Sequence, residues 1–183
     1  MIPPSKNEPI RSLTDLVWAA HQAAQARGEW PIDGRPLVES INDLHAEIST
    51  AWQDYRAKKI STFYQSLFSL GVGSETRPWG FWVEIEDAFI RLADLAGGEG
   101  WQVREVMLDL MIADCQRLAE VVHVSHQLIT DLFETTAKVK TANQLFAFWM
   151  VAAGVNDVDL WVVIDEKMKF NAQQPQRPGG MLA

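Results

Sequence analysis

The sequence predicts an all-α protein, a helical bundle with an inserted helical segment in its second half. Three observations carry that reading. Apolar residues recur every three or four positions along most of the chain, the spacing that lines one face of a helix. Alternating runs of the kind a half-buried strand needs are scarce. Glycine and proline punctuate the intervals between the periodic stretches.

Taken in order, residues 1–12 are polar and carry three prolines, which predicts a flexible lead-in. Leu13, Leu16, Val17, Ala20 and Ala24 form the first helical stripe, and Gly28 stops it. The stretch Glu29 to Pro36 reads as a turn-rich loop. Leu37, Ile41, Leu44, Ile48, Ala51, Trp52 and Tyr55 form a second stripe. Over 60–79, Phe63, Tyr64, Leu67, Phe68 and Leu70 precede Gly71, Gly73 and Pro78, so a short helix and then a loop are expected. A third main helix runs from about Gly80 to Ala96, with Phe81, Ile85, Ala88, Phe89, Leu92 and Leu95 apolar, and Gly97-Gly98-Glu99-Gly100 ends it. Val103 to Val122 is periodic, and Thr130 to Lys140 less clearly so. Asn143 to Ala153 is nearly all apolar, and Gly154 breaks that run. A last helix is expected from about Val158 to Gln173, before a Pro/Gly-rich tail over 175–183. Residues 13–174 are thus expected to form a single domain.

Composition narrows the function. The chain has 183 residues, with 16 Lys+Arg against 24 Asp+Glu and a formal net charge of −8. Such an acidic balance speaks against binding a nucleic-acid backbone. A hydrophobic fraction of 48% and a charged fraction of 22% suit a folded globular chain. The single cysteine, Cys115, permits neither an intramolecular disulfide nor a cysteine-built zinc site, which fits a reducing, cytoplasmic setting. No secretory signal is evident. No apolar run approaches the ~20 residues of a membrane span.

The residues that carry chemistry are acidic. Glu84 and Asp87 lie three positions apart and share a helix face, which Arg91 and Asp94 extend. Flanked by Phe81, Ile85 and Phe89, they sit near an apolar stripe, where an uncompensated charge is costly. Glu47, on the second helix, would add a third carboxylate. A hard divalent cation takes such oxygen ligands and bridges to substrate phosphates. The same spacing also occurs in solvated or salt-bridged helix faces.

The stretch Leu44–Arg56 together with Gly80–Leu95 resembles the MazG-like, all-α nucleoside triphosphate pyrophosphohydrolases. Glu47 matches the first acid of that family's E-x-x-E motif, and Glu84 and Asp87 match its E-x-x-D. Ile90-Arg91-Leu92-Ala93-Asp94 matches the I-R-x-x-D continuation, and Pro78-x-Gly80 matches the P-x-G that opens the helix. Asp165-Glu166-Lys167-Met168-Lys169-Phe170-Asn171 resembles the E-K-x-x-Y-N segment, and Arg177-Pro178-Gly179-Gly180 resembles the basic tail after it. The resemblance covers roughly residues 13–97 and 154–181, leaving 101–153 as a helical insertion. There are departures. Thr50 stands where the second acid of E-x-x-E is found, and Ala46 where an acid often precedes the first. Gln174, Pro178 and Met181 replace basic tail positions.

The resemblance implies an enzyme that uses Mg2+, with Mn2+ as a substitute, to convert a nucleoside triphosphate to the monophosphate and pyrophosphate. It implies Glu47, Glu84 and Asp87 as metal ligands and catalytic acids, and Lys167, Asn171 and Arg91 as substrate-binding groups. It also implies a homodimer or homotetramer. Compensation for Thr50 is sought in Asp54, Glu86 or Asp94. Two alternatives accompany it: a helical nucleotide- or protein-binding module whose metal cluster has decayed, and an all-α dUTPase-type enzyme.

Other motifs are weaker. His21, His45, His123 and His126 lack zinc-protease spacing, and His123 and His126, three apart, read as surface or core residues. No nucleophile-elbow serine or phosphate-binding glycine loop occurs; Gly71-Val72-Gly73-Ser74 lacks the following lysine. Cys115 reads as a core residue. The eight tryptophans read as packing residues, with Trp30 and Trp79 the loop-borne candidates for stacking on a base.

Overall fold

A computed structural model describes residues 10–60, 80–105 and 113–173. The short helix and loop expected over 60–79, Trp79, the glycine loop at 71–74, the tail over 175–183 and most of the lead-in lie outside them. Among the described residues the protein is all-helical: α1 (Leu13–Ala26), α2 (Leu37–Arg56), α3 (Phe81–Gly98), the single turn α4 (Ala113–Gln116), α5 (Leu118–Glu134), α6 (Lys138–Val155) and α7 (Leu160–Gln173).

Local chemistry sets several of the ends. Ser12 caps α1, its hydroxyl accepting from Asp15 N at 3.1 Å. Gly28 (φ +75°) turns the chain out of α1, letting Glu29 N donate back to Ala24 O. At the start of α3, Gly80 holds φ 127°, a backbone region that side chains disfavour.

α3 is the axis of the fold. It packs against α1, α2, α6 and α7. Fourteen of its eighteen residues are buried, so it has no solvent face for most of its length. α2 adds a contact with α5, and α5 packs on α6. Residues from α1 through α7 share one main hydrophobic core. At its centre Phe89 of α3 meets Phe146 and Trp149 of α6, with ring centroids 4.8 and 6.0 Å apart. Trp149 Nε1 donates to Ser125 Oγ at 2.8 Å, and Ser125 donates to Val121 O, so this buried indole is satisfied.

Three expectations for the second half are corrected. Val103–Val122 is not one helix. Residues 101–105 are non-helical, and Arg117 is extended (φ −102°, ψ 120°), so α5 starts at Leu118 and runs on through 122. The expected Thr130–Lys140 helix is split. Thr135 is extended and its hydroxyl accepts from Ala137 N at 3.0 Å, a local bond that competes with the helix. Lys138 then caps α5 by donating to Leu132 O and Phe133 O. Gly154 does not break α6, which continues to Val155. The left-handed position is Asp157 (φ 58°), and Asn156 Nδ2 donates to Ala152 O and Cys115 O.

No single helix among the described residues is long and apolar enough to cross a membrane. α6 and α7 reach that length only as a pair bent by 110°, and α6 is mostly buried.

Candidate functional site

α2 and α3 pack side by side, and this places Glu47 opposite Glu84 and Asp87. Each of the three offers one carboxylate oxygen, and these oxygens all lie within 4.8 Å of one another. Glu84 is buried; Glu47 and Asp87 are half-buried. A divalent ion holds hard oxygen ligands at about 2.0–2.6 Å, so small rotamer shifts suffice to bring the three onto one ion. The donor set fits Mg2+ or Mn2+ and does not fit a soft metal.

Two cations already stand at this cluster. Lys167, on α7, is buried and donates from Nζ to Asp87 Oδ2 at 2.6 Å. Arg91, one turn after Asp87, donates from Nε to Glu47 Oε1 at 2.6 Å and from Nη1 to Asp43 Oδ2 at 3.2 Å. Burial works against the Arg91 charge, yet Glu47 and Asp43 hold its guanidinium above its ordinary range. Asp43 also pairs with Arg35 from the loop before α2. Asp43 and Arg35 were not singled out from the sequence. The signal for Asp43 was present, since it lies one turn before Glu47 on the same face of α2.

Glu86 is the unusual member. It is fully buried, and neither carboxylate oxygen has a hydrogen-bond partner among the described residues. Burial pushes its carboxyl well above the usual range; Asp87 pushes the same way, Lys167 opposes, and Glu84 adds to the rise. An orphaned buried acid beside three more acids is an environment that a bound cation would relieve.

Of the residues expected to compensate for Thr50, only Glu86 adjoins the cluster, and it does not lie among the three converging carboxylates. Asp54 pairs with Lys59 at 3.6 Å. Asp94 sits at the far end of α3. Its Oδ1 accepts from Trp30 Nε1 at 2.7 Å and lies 3.0 Å from His21 Nδ1. Burial raises the Asp94 carboxyl, and those two bonds oppose the rise. The Thr50 hydroxyl donates to Ala46 O at 3.1 Å, within its own helix. Asn171 is half-buried one turn beyond Lys167.

Trp30 is a packing residue. Its ring lies where a Cβ on Gly98 would come within 1.9 Å of it, so only glycine fits there. Trp52 is 37% exposed and stacks on Tyr55. Cys115 is buried.

No family model matches the chain, and no curated protein or solved structure matches it either.

Proposed function

We propose that the chain is a nucleoside triphosphate pyrophosphohydrolase of the MazG-like kind, dependent on Mg2+ or Mn2+, releasing a nucleoside monophosphate and pyrophosphate. The supporting observation is the convergence of Glu47, Glu84 and Asp87 within 4.8 Å, in the order the motif resemblance requires. When bound, the ion neutralises phosphate oxygens and acidifies a water. The chain's own residues supply the rest. Glu47, Glu84 and Asp87 hold the ion, and one of these acids takes the proton of the attacking water. Arg91 keeps Glu47 and Asp43 oriented from α3. Lys167, once separated from Asp87, carries a point charge to the phosphates. Asn171 offers an amide on the same face of α7. The proposed assembly is a cytoplasmic homodimer or homotetramer, with the partly exposed Trp18 and Trp52 as interface material.

The test is pyrophosphate release from a panel of (d)NTPs, dUTP included, with Mg2+ or Mn2+. Turnover that is lost in Glu84→Gln supports the reading, whereas turnover that survives this change overturns it. A preference for dUTP alone would favour the dUTPase-type alternative.

A second reading has its own observation. Thr50 is turned into its helix, and Lys167 and Arg91 already occupy Asp87 and Glu47. A cluster satisfied in this way suits a helical module that binds a nucleotide or a partner without turnover. Calorimetry with Mg2+ and a non-hydrolysable dNTP separates the two, because that module binds and never releases pyrophosphate.

A further inference from the structure

The interface of α2 with α5 brings together two histidines that are 81 residues apart in the chain. His45 Nδ1 lies 2.8 Å from His126 Nδ1, and the rings stack with centroids 5.1 Å apart and planes 20° from parallel. Only one proton fits between two nitrogens at that distance, so one ring donates and the other accepts. Neither Nε2 has a hydrogen-bond partner among the described residues. Both side chains are half-buried. His123, exposed one turn earlier on α5, is close enough for its charge to act on His126.

We propose that His45 and His126 form a second metal site, built from imidazole and selective for a borderline first-row dication such as Ni2+ or Cu2+. The separation carries the argument. Metal–imidazole bonds of about 2.0–2.1 Å at right angles to one another place their nitrogens about 2.9 Å apart. That is the bite of two neighbouring ligands in a tetragonal site. Moving the shared proton to Nε2 frees both Nδ1 lone pairs and leaves the net proton count unchanged. Small ring rotations then turn those lone pairs onto one ion.

The site is separate from the carboxylate cluster in direction and in chemistry. His45 and Glu47 are two positions apart, so they project about 200° from each other around α2. The carboxylates take a hard ion and the imidazoles a borderline one.

The experiment titrates Ni2+ into the tag-free full-length chain by calorimetry, with excess Mg2+ present to occupy the carboxylates. One Ni2+ per chain is expected for the wild type. His45→Gln and His126→Gln should each weaken it by at least about tenfold, while Glu84→Gln leaves it unchanged. Circular dichroism checks that each variant folds. In the wild type, paramagnetic broadening confined to the His45, His123 and His126 ring protons gives a reading that needs no variant. Absence of Ni2+ binding, full binding in both glutamine variants, or broadening located elsewhere would overturn the proposal.

Discussion

The buried ammonium of Lys167 lies 2.6 Å from Asp87 Oδ2, so α7 places a positive charge on one of the three converging carboxylates of α2 and α3. The Lys167 side chain is only 4% exposed. Removing one partner of such a pair leaves the other charge buried and uncompensated. Asp87→Asn is therefore expected to cost about 3 kcal/mol in metal-free buffer. The double change Asp87→Asn with Lys167→Met should cost less than the sum of the singles, by about 1–2 kcal/mol. Urea titration of the four proteins measures both quantities. Strict additivity would show that the pair is not coupled.

Lys167→Met also removes the internal competitor for Asp87. If the cluster holds a divalent ion, Mg2+ should raise the melting temperature of Lys167→Met more than that of the wild type. Thr50→Glu is expected to act in the same direction, tightening Mg2+ by about three- to tenfold through one more carboxylate on the face of Glu47. An equal Mg2+ response in all three proteins would count against the cluster as a metal site.

Glu86 sets a pH dependence with a definite sign. Its folded form holds the proton above its ordinary value of 4.5, because burial and then Asp87 raise it. Above that pH the unfolded chain releases the proton and the folded chain keeps it. Stability from this group is therefore full below its ordinary range and falls as pH rises toward the raised value. Each unit of the rise is worth about 1.4 kcal/mol. In metal-free buffer the stability of Glu86→Gln relative to wild type should climb between acid and neutral pH. A constant difference across that range would contradict the assignment.

Gly98→Ala sets two effects against each other. Alanine gains about 1 kcal/mol over glycine in helix propensity. Its methyl group would sit 1.9 Å from the Trp30 ring, which must then leave Asp94. The clash is expected to win, with a net loss of about 1–3 kcal/mol and a shift in tryptophan fluorescence. Stabilisation by Gly98→Ala would show that Trp30 moves without cost.

Ser125→Ala removes the acceptor of a fully buried indole N–H. A loss of about 1–3 kcal/mol is expected from the unsatisfied donor, measured by chemical denaturation. Ser125→Thr keeps a hydroxyl and should recover part of it.

Much of the fold and part of the site were legible in the sequence, for local reasons. Helical spacing alone puts Glu84 and Asp87 on one face, and the stripe of α2 turns Glu47 toward them. The parts that could not be read depend on contacts distant in sequence or on side chains that compete with the backbone. Thr135 breaks the α5–α6 stretch through its own hydroxyl, where the helical periodicity is already weak. His45 meets His126 only because α2 and α5 pack together, and no spacing rule links them. Arg91 and Lys167 looked like groups reserved for a ligand, but three-dimensional packing turns them onto Glu47 and Asp87. The role of Trp30 depends on the absence of a side chain at Gly98.

The central place of α6 has a consequence for the order of synthesis. Phe146 and Trp149 complete the packing around Phe89, yet the ribosome makes them long after α1, α2 and α3. Until α6 emerges, the apolar side of α3 that it covers has no partner from its own chain. The nascent protein therefore carries that side of α3 without its α6 cover from the synthesis of α3 until that of α6, the condition in which chaperone capture competes with aggregation.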